Sequence, residues 1–254
     1  MTTTVPPPAD IHTPLTGRVV AITGAGRGLG LLTTETLLRQ GARVIANHRS
    51  PSSSLEEFRR KFPGQLQLVP GDIGEESTAI ALADAARNAG DLHVLIHNAG
   101  VTRDQLLAHM PVEDWDEVQR VNLRGGFLAT KHAVRIMLRR RYGRIVYISS
   151  IAAVMGNTGQ ANYAASKAGL HGLARSVAQE YASYNIRSTV LAVGVLDVGL
   201  GAAMKPNTQR RKVDRSLLGL IDGASVAETL AFLAGPKADF INSEIIRLDG
   251  GVRY

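Results

Sequence analysis

The sequence predicts a single α/β domain, a doubly wound parallel sheet with helices on both faces, and three observations carry that prediction. Short β-branched runs alternate with longer helical patterns across residues 15–254, which is how right-handed crossovers between parallel strands read. A glycine-rich turn follows the first of these runs directly and opens the first helix. No long linker interrupts the 254 residues, so one core is expected rather than two.

Residues 1–14 (MTTTVPPPADIHTP) are rich in Pro and Thr and are expected to be a mobile lead-in. The strands are read at Arg18–Thr23, Arg43–Asn47, Gln65–Val69, His93–His97, Arg144–Ser149, Arg187–Val193 and Ile245–Leu248. Each is short and rich in Val or Ile, as buried parallel strands are. Helices are expected up to about Arg39, at Ser54–Lys61, Glu75–Asn88, Asn122–Arg140, Gln160–Ser183 and Ser225–Ala234. The stretch 195–222, first Gly-rich and then basic, breaks the alternation and reads as a lid or binding loop.

Composition narrows the function. The chain is 44% hydrophobic and 20% charged, an ordinary globular balance that excludes wholesale disorder. With no cysteine there is no disulfide framework, thiol nucleophile or Cys-ligated zinc. No apolar run is long enough for a membrane span, and the first residues lack the features of a secretory signal, so a soluble cytoplasmic protein without a membrane partner is expected. The net charge of +7 leaves nucleic acid, an acidic partner or a basic surface open. Aromatics at 5% and the lack of any nucleic-acid module argue against nucleic acid. The seven scattered histidines show no metal-ligand spacing, so no metal is expected.

Thr23–Gly30 (TGAGRGLG) holds Gly24, Arg27, Gly28, Leu29 and Gly30 between the first strand and first helix. Glycines there allow a tight turn and let backbone N–H groups approach a pyrophosphate at the positive end of the helix. The same pattern could be a turn with no ligand, but its place in the first βαβ unit favours a dinucleotide site of Rossmann type. An NAD site carries an acid at the end of the second strand; here the text is Asn47-His48-Arg49-Ser50. Arg49 and Arg27 suit a 2′-phosphate, unless both are simply solvated. NADP(H) is the expected cofactor.

Tyr163 and Lys167 stand four apart in the helix after the strand Arg144–Ser149, so they share one face and the ammonium can lower the phenol's pKa. Alone, such a pair is as easily a surface feature. Ser149 and Ser150 end the preceding strand, where α/β ligand sites lie, and a hydroxyl there could hold a substrate oxygen. Asn122 opens the expected long helix, and on this reading alone it is more readily an N-cap than a catalytic group.

Together and in order, TGAGRGLG, HNAG (His97–Gly100), Asn122, Ser150, YAASK (Tyr163–Lys167) and LDGG (Leu248–Gly251) resemble the short-chain dehydrogenase/reductase family over about residues 15–254. Among its members the chain looks most like β-ketoacyl carrier-protein reductases and aromatic (type II) polyketide ketoreductases. The resemblance implies Tyr163 as proton donor to a ketone, Lys167 lowering its pKa and binding the nicotinamide ribose, and Ser150 holding the substrate oxygen. It implies Asn122 holding a relay water, Asp72 and Ile73 at the adenine, and Asn98, Ala99 and Gly100 walling the adenosine. It further implies strand order 3-2-1-4-5-6-7 and a homotetramer packed through the long helices and the last strand.

Departures from the family pattern bear on the substrate. Val193 and Val198 stand where Pro and a nicotinamide-contacting Thr are usual, so backbone groups around Val195 are expected to share in holding the nicotinamide. Asn242-Ser243 replaces a common Thr-Gly. Two basic patches, Lys205–Arg215 and Arg139, Arg140, Arg141 and Arg144, read either as docking faces for an acidic carrier protein or as solvated charge. Gly199–Met204 (GLGAAM) could line a pocket for a bulky apolar ketone or act as a hinge. Arg outnumbers Lys 23 to 6, a bias of high-GC bacteria. The expected function is NADPH-dependent ketone reduction, read first as a polyketide ketoreductase of bacterial secondary metabolism and antibiotic biosynthesis. The alternatives are a β-ketoacyl carrier-protein reductase of fatty-acid synthesis or a non-catalytic NADP-binding regulator.

Overall fold

A computed structural model describes residues 14–253; the expected mobile lead-in therefore falls, except for Pro14, outside the described residues. Seven strands form one parallel sheet in the order β3-β2-β1-β4-β5-β6-β7. They are β1 (Val19–Ile22), β2 (Arg43–His48), β3 (Leu66–Pro70), β4 (Val94–His97), β5 (Gly143–Ser150), β6 (Ile186–Val193) and β7 (Ile245–Leu248). Every expected strand is present, shifted by a residue or two at its ends at most, and the order matches the expectation.

The two-residue period of the strands explains the layering. In β1, Val19 and Ala21 face one apolar core, and Val20 and Ile22 face the other. The first core is closed by α3 (Glu76–Asn88), α5 (Gly125–Arg140) and α7 (Ala161–Tyr181, preceded by the short α6, Ala152–Met155), through side chains such as Leu82, Met137 and Leu170. The second is closed by α1 (Gly28–Arg39), α2 (Ser53–Lys61) and α10 (Gly223–Ala234), through Leu37, Leu55 and Leu230. Both faces being covered, every strand's C-terminal end opens toward the same rim, where the connecting loops meet.

Two expectations need correction, the helix start and Arg144, and the lid gains detail. The long helix does not start at Asn122. It runs from α4 (Val112–Gln119) through a π turn, Arg120–Arg124, straight into α5, so Asn122 sits inside it and caps nothing. Glu113 and Asp114 stand in the first turn after the N-cap Pro111, where acids complement the helix dipole. The lid, 195–222, is not plain loop: it carries α8 (Gly199–Ala202) and α9 (Pro206–Val213), and an isolated bridge between Leu196 and Ile221 closes its base. Arg144 does not belong to a surface patch. It is 3% exposed and its guanidinium donates to the carbonyls of Leu233 (3.1 Å) and Ala238 (2.8 Å) and pairs with Asp239, tying β5 to the end of α10.

Ser243 adopts φ +62°, a left-handed conformation that costs an L-residue about 1–2 kcal/mol. This is the position where the family usually has Gly. Ser243→Gly is expected to raise the melting temperature by about 2–4 °C, since about 1 kcal/mol shifts a domain of this size by that much. An unchanged or lower melting temperature would contradict the strain.

Candidate active site

The strand ends deliver their loops to one cavity of about 1100 Å³, larger than a pocket for a single drug-sized ligand. From β1 come Gly24, Arg27, Gly28, Leu29 and Gly30; from β2, Arg49 and Ser50; from β3, Asp72 and Ile73; from β4, Asn98, Ala99 and Gly100. Ser150 at the end of β5, Tyr163 and Lys167 on α7, and Val195 after β6 line the same space. Asn122 does not: it is fully buried behind the wall.

The glycine turn is built by close approach. A Cβ on Gly24 would lie 2.8 Å from Ala99 Cα, and one on Gly30 would lie 2.2 Å from the Gly24 carbonyl. Thr23 locks the turn to the β4 loop: its hydroxyl oxygen accepts from Asn98 N (3.1 Å) and Ala99 N (3.0 Å). The Asn98 amide donates to the carbonyls of Thr23 and Gly24, both at 3.1 Å. Ser52, unnoticed in the sequence, donates to Gly26 O at 2.9 Å and accepts from Leu55 N at the start of α2. At the mouth of α1 no side chain caps the helix and no acid stands in its first turn, so its N–H groups are left to an anion. The exposed Arg27 and Arg49 flank that end of the cavity.

At the other end, Ser150, Tyr163 and Lys167 converge. The Ser150 hydroxyl hydrogen-bonds the Tyr163 phenol and accepts from Ala152 N at 3.2 Å. Ser149 is buried, and its hydroxyl pairs with His171 Nε2 (2.8 Å) and donates to Lys167 O (3.2 Å); of the two serines, Ser150 is the one free to meet a ligand. Lys167 Nζ donates to Ile148 O at 2.8 Å and lies 5.9 Å from the centre of the Tyr163 ring. Gly100 makes room for it, since a Cβ there would come within 3.2 Å of Nζ. The Asn122 amide is occupied: Oδ1 accepts from Val101 N (2.8 Å), and Nδ2 donates to Val101 O and Ser166 Oγ, each at 3.0 Å. It thereby fixes the residues beside Gly100 and Lys167.

Burial pushes the Tyr163 phenol up to about 12, the Ser150 hydrogen bond opposing and the Asp104 charge adding to the rise. Desolvation brings the Lys167 ammonium down to about 8. On balance the desolvation of the buried phenolate outweighs the groups that favour it. At neutral pH the cleft presents a protonated phenol beside a hydroxyl and a cation, an arrangement able to give a proton to a carbonyl oxygen.

The short chain dehydrogenase family model matches residues 18–209. The chain belongs to the short-chain dehydrogenase family. It is 35% identical over 239 residues to the 3-oxoacyl-[acyl-carrier-protein] reductase FabG of Escherichia coli (strain K12), covering 93% of this chain and 97% of that protein. It is 35% identical over 242 residues to the protein of the same name from Thermotoga maritima, with 94% and 98% covered, and 34% identical over 239 residues to that of Salmonella typhimurium, with 93% and 97% covered. The chain is thus an oxidoreductase acting on CH–OH/C=O groups, and its cofactor is NADP(H). The residues fit that cofactor: a glycine cradle that a Cβ would fill, uncapped helix donors, two arginines and no acid at the end of β2. Among the described residues, no helix is long and apolar enough to cross a membrane, and no group of three or more metal-ligating residues could hold an ion.

Two contacts among the lining residues escaped the sequence reading. Gly199 on the lid meets Gly28: a Cβ on Gly28 would lie 2.7 Å from Gly199 Cα, so the lid presses onto the glycine turn and Gly28 tolerates no side chain. Gln160 donates to both Asp104 oxygens (3.0 and 2.9 Å) and accepts from Lys212 Nζ at 3.3 Å, linking α9 to the start of α7. No local pattern marks these contacts, although glycines at both 28 and 199 are consistent with a close approach. Ultraviolet titration of the wild type against Tyr163→Phe is expected to show no ionisation of Tyr163 below about pH 11, given desolvation as the dominant effect. A step between pH 7 and 8 would contradict the charge state described above.

Proposed function

We propose that the chain reduces the 3-ketone of an acyl thioester, delivered on an acidic carrier protein, to the secondary alcohol. The observation that carries this is the convergence of Ser150, Tyr163 and Lys167 on the cavity that holds Arg27 and Arg49 at its far end, in a chain aligned almost end to end with 3-oxoacyl-[acyl-carrier-protein] reductases. NADPH, when bound, supplies the hydride. The glycine turn and the α1 donors hold its pyrophosphate, Arg27 and Arg49 its 2′-phosphate, and Asp72, Ile73, Asn98, Ala99 and Gly100 wall its adenosine. Ser150 holds the substrate oxygen against Tyr163, which donates its proton to that oxygen, and Lys167 stabilises the phenolate left behind. Asn122 acts through the Val101 and Ser166 bonds that place the β4 loop and the turn bearing Lys167.

The relatives back the carrier-protein reductase reading better than the polyketide one. A specialised polyketide ketoreductase is supported only by the apolar lid lining, Val198, Leu200, Ala203 and Met204 with Met155 across the cleft. Carrier docking is supported by Lys205, Lys212 and Arg215 at the cleft, whose attraction for an acidic partner is screened by salt. Assembly as a homotetramer is supported by exposed apolar side chains on the long helix, Val112, Trp115 and Phe127, and near the C-terminus, Phe232 and Phe240. We place the protein in the cytoplasm, where such a carrier and NADPH meet.

NADPH oxidation measured against acetoacetyl thioesters, free and carrier-bound, and fused-ring ketones tests the assignment. Thioesters are expected to be preferred, the carrier-bound form to lose rate more steeply with salt, and Tyr163→Phe to lose at least about a thousandfold in kcat, the upper range for a positioned acid. Turnover of fused-ring ketones alone would overturn the substrate, and an active Tyr163→Phe enzyme would overturn the mechanism.

A further inference from the structure

Asp72 is the acid that the β3 loop brings to the adenosine end of the cavity, in the company of Arg27 and Arg49. Beside its place in the adenosine wall, this carboxylate lies near the arginines assigned to an anionic 2′-phosphate, where its charge is unfavourable unless it is neutralised. The structure shows what restrains it. Arg120, in the π turn of the long helix, places Nη2 2.8 Å from Asp72 Oδ2 and 2.8 Å from Glu117 Oε2, and Nη1 3.0 Å from Glu75 Oε1. The second Asp72 oxygen accepts from Gly74 N at 2.9 Å. Gly74 is needed for this: a Cβ there would lie 2.3 Å from Arg120 Nη1. Arg124, one helical turn on, donates to Gly74 O. The loop is thus clamped from the helix by two arginines.

Arg49 is close enough to Asp72 for its charge to favour the carboxylate. Burial raises the acid, but the bonds from Arg120 and Gly74 and the charges of Arg120 and Arg49 hold it below the usual range. Arg49 nevertheless forms no ion pair among the described residues, because Asp72's oxygens are already engaged on the other side.

We propose that Arg120 is a positioning residue for cofactor selectivity: by engaging Asp72 from the helix side it keeps Arg49 available for the 2′-phosphate of NADP(H). Without Arg120, the freed carboxylate pairs with Arg49 and presents negative charge to the phosphate. NADH, which has no such phosphate, is little affected. The inference rests on the placement of the 2′-phosphate at Arg27 and Arg49, and the experiment separates the two.

Dissociation constants for NADPH and NADH are measured by calorimetry, without turnover, for the wild type, Arg49→Ala, Arg120→Met, Arg120→Lys and the double variant Arg120→Met/Asp72→Asn. Arg49→Ala is expected to weaken NADPH selectively; if it does not, the phosphate placement itself is wrong. Given that loss, Arg120→Met is expected to weaken NADPH about tenfold and NADH less than about twofold, the scale of one poorly screened like charge. The double variant is expected to recover most of the NADPH-to-NADH preference, since it removes the freed charge, whereas a lost adenosine contact at Asp72 weakens both cofactors alike. Equal weakening of both cofactors by Arg120→Met, or no recovery of that preference in the double variant, would make Arg120 a scaffold residue and overturn the inference. Should Arg120→Met fail to fold, Arg120→Lys decides: retaining the cation but not the fork, it is expected to lower the NADPH-to-NADH preference partway, and an unchanged preference would overturn the inference.

Discussion

The cleft depends on one irregularity, the π turn at Arg120–Arg124 inside an otherwise continuous helix from Val112 to Arg140. A π turn interrupts the regular backbone ladder and rotates the side chains that follow. Here it turns Arg120 and Arg124 toward the β3 loop and Asn122 toward Val101 and Ser166. One segment thereby sets both walls of the cavity. The Asn122 carbonyl accepts from His97 Nε2 at 3.0 Å; an unsatisfied buried carbonyl would cost about 1–3 kcal/mol. Burial drives the His97 imidazolium down to about 3, with the Lys167 charge adding to the fall, so the ring is neutral. Thr23 already accepts two backbone N–H groups, so its hydroxyl donates to His97 Nδ1 at 3.0 Å, which leaves the ring's proton on Nε2 for Asn122. The glycine turn and the π turn are joined through that ring.

Electrostatics then divide the cavity. The adenosine end gathers uncapped helix donors and two exposed arginines, with its acid held from behind. The catalytic end is desolvated, which keeps the phenol protonated and leaves the lysine near its titration point. A protonated phenol is the form that donates in reduction, and its conjugate base is the form that accepts in alcohol oxidation.

Much of this was legible in the sequence because it is carried by short-range pattern. Alternating β-branched strands, the TGAGRGLG turn and the four-residue spacing of Tyr163 and Lys167 each express a local geometry. Ser150 was separable from Ser149 only by resemblance; the structure adds the reason, since Ser149 is held by His171 and Lys167. What escaped is what tertiary contact decides. Asn122 could not be placed mid-helix, because a π turn has no capping signature. Arg144 lies in a run of arginines that reads as surface, and only the carbonyls of Leu233 and Ala238 explain its burial. The polyketide reading rests on lid composition, the altered nicotinamide loop and the excess of Arg over Lys, none of which gives the shape of a pocket.

The central claim, that the π turn positions the catalytic end through the Asn122 amide, is tested most directly by Asn122→Ala. With NADPH saturating, the account expects kcat for reduction to fall at least about tenfold, equivalent to about 1.4 kcal/mol of barrier, while the folded structure persists by circular dichroism. A folded Asn122→Ala protein with wild-type kcat would contradict it.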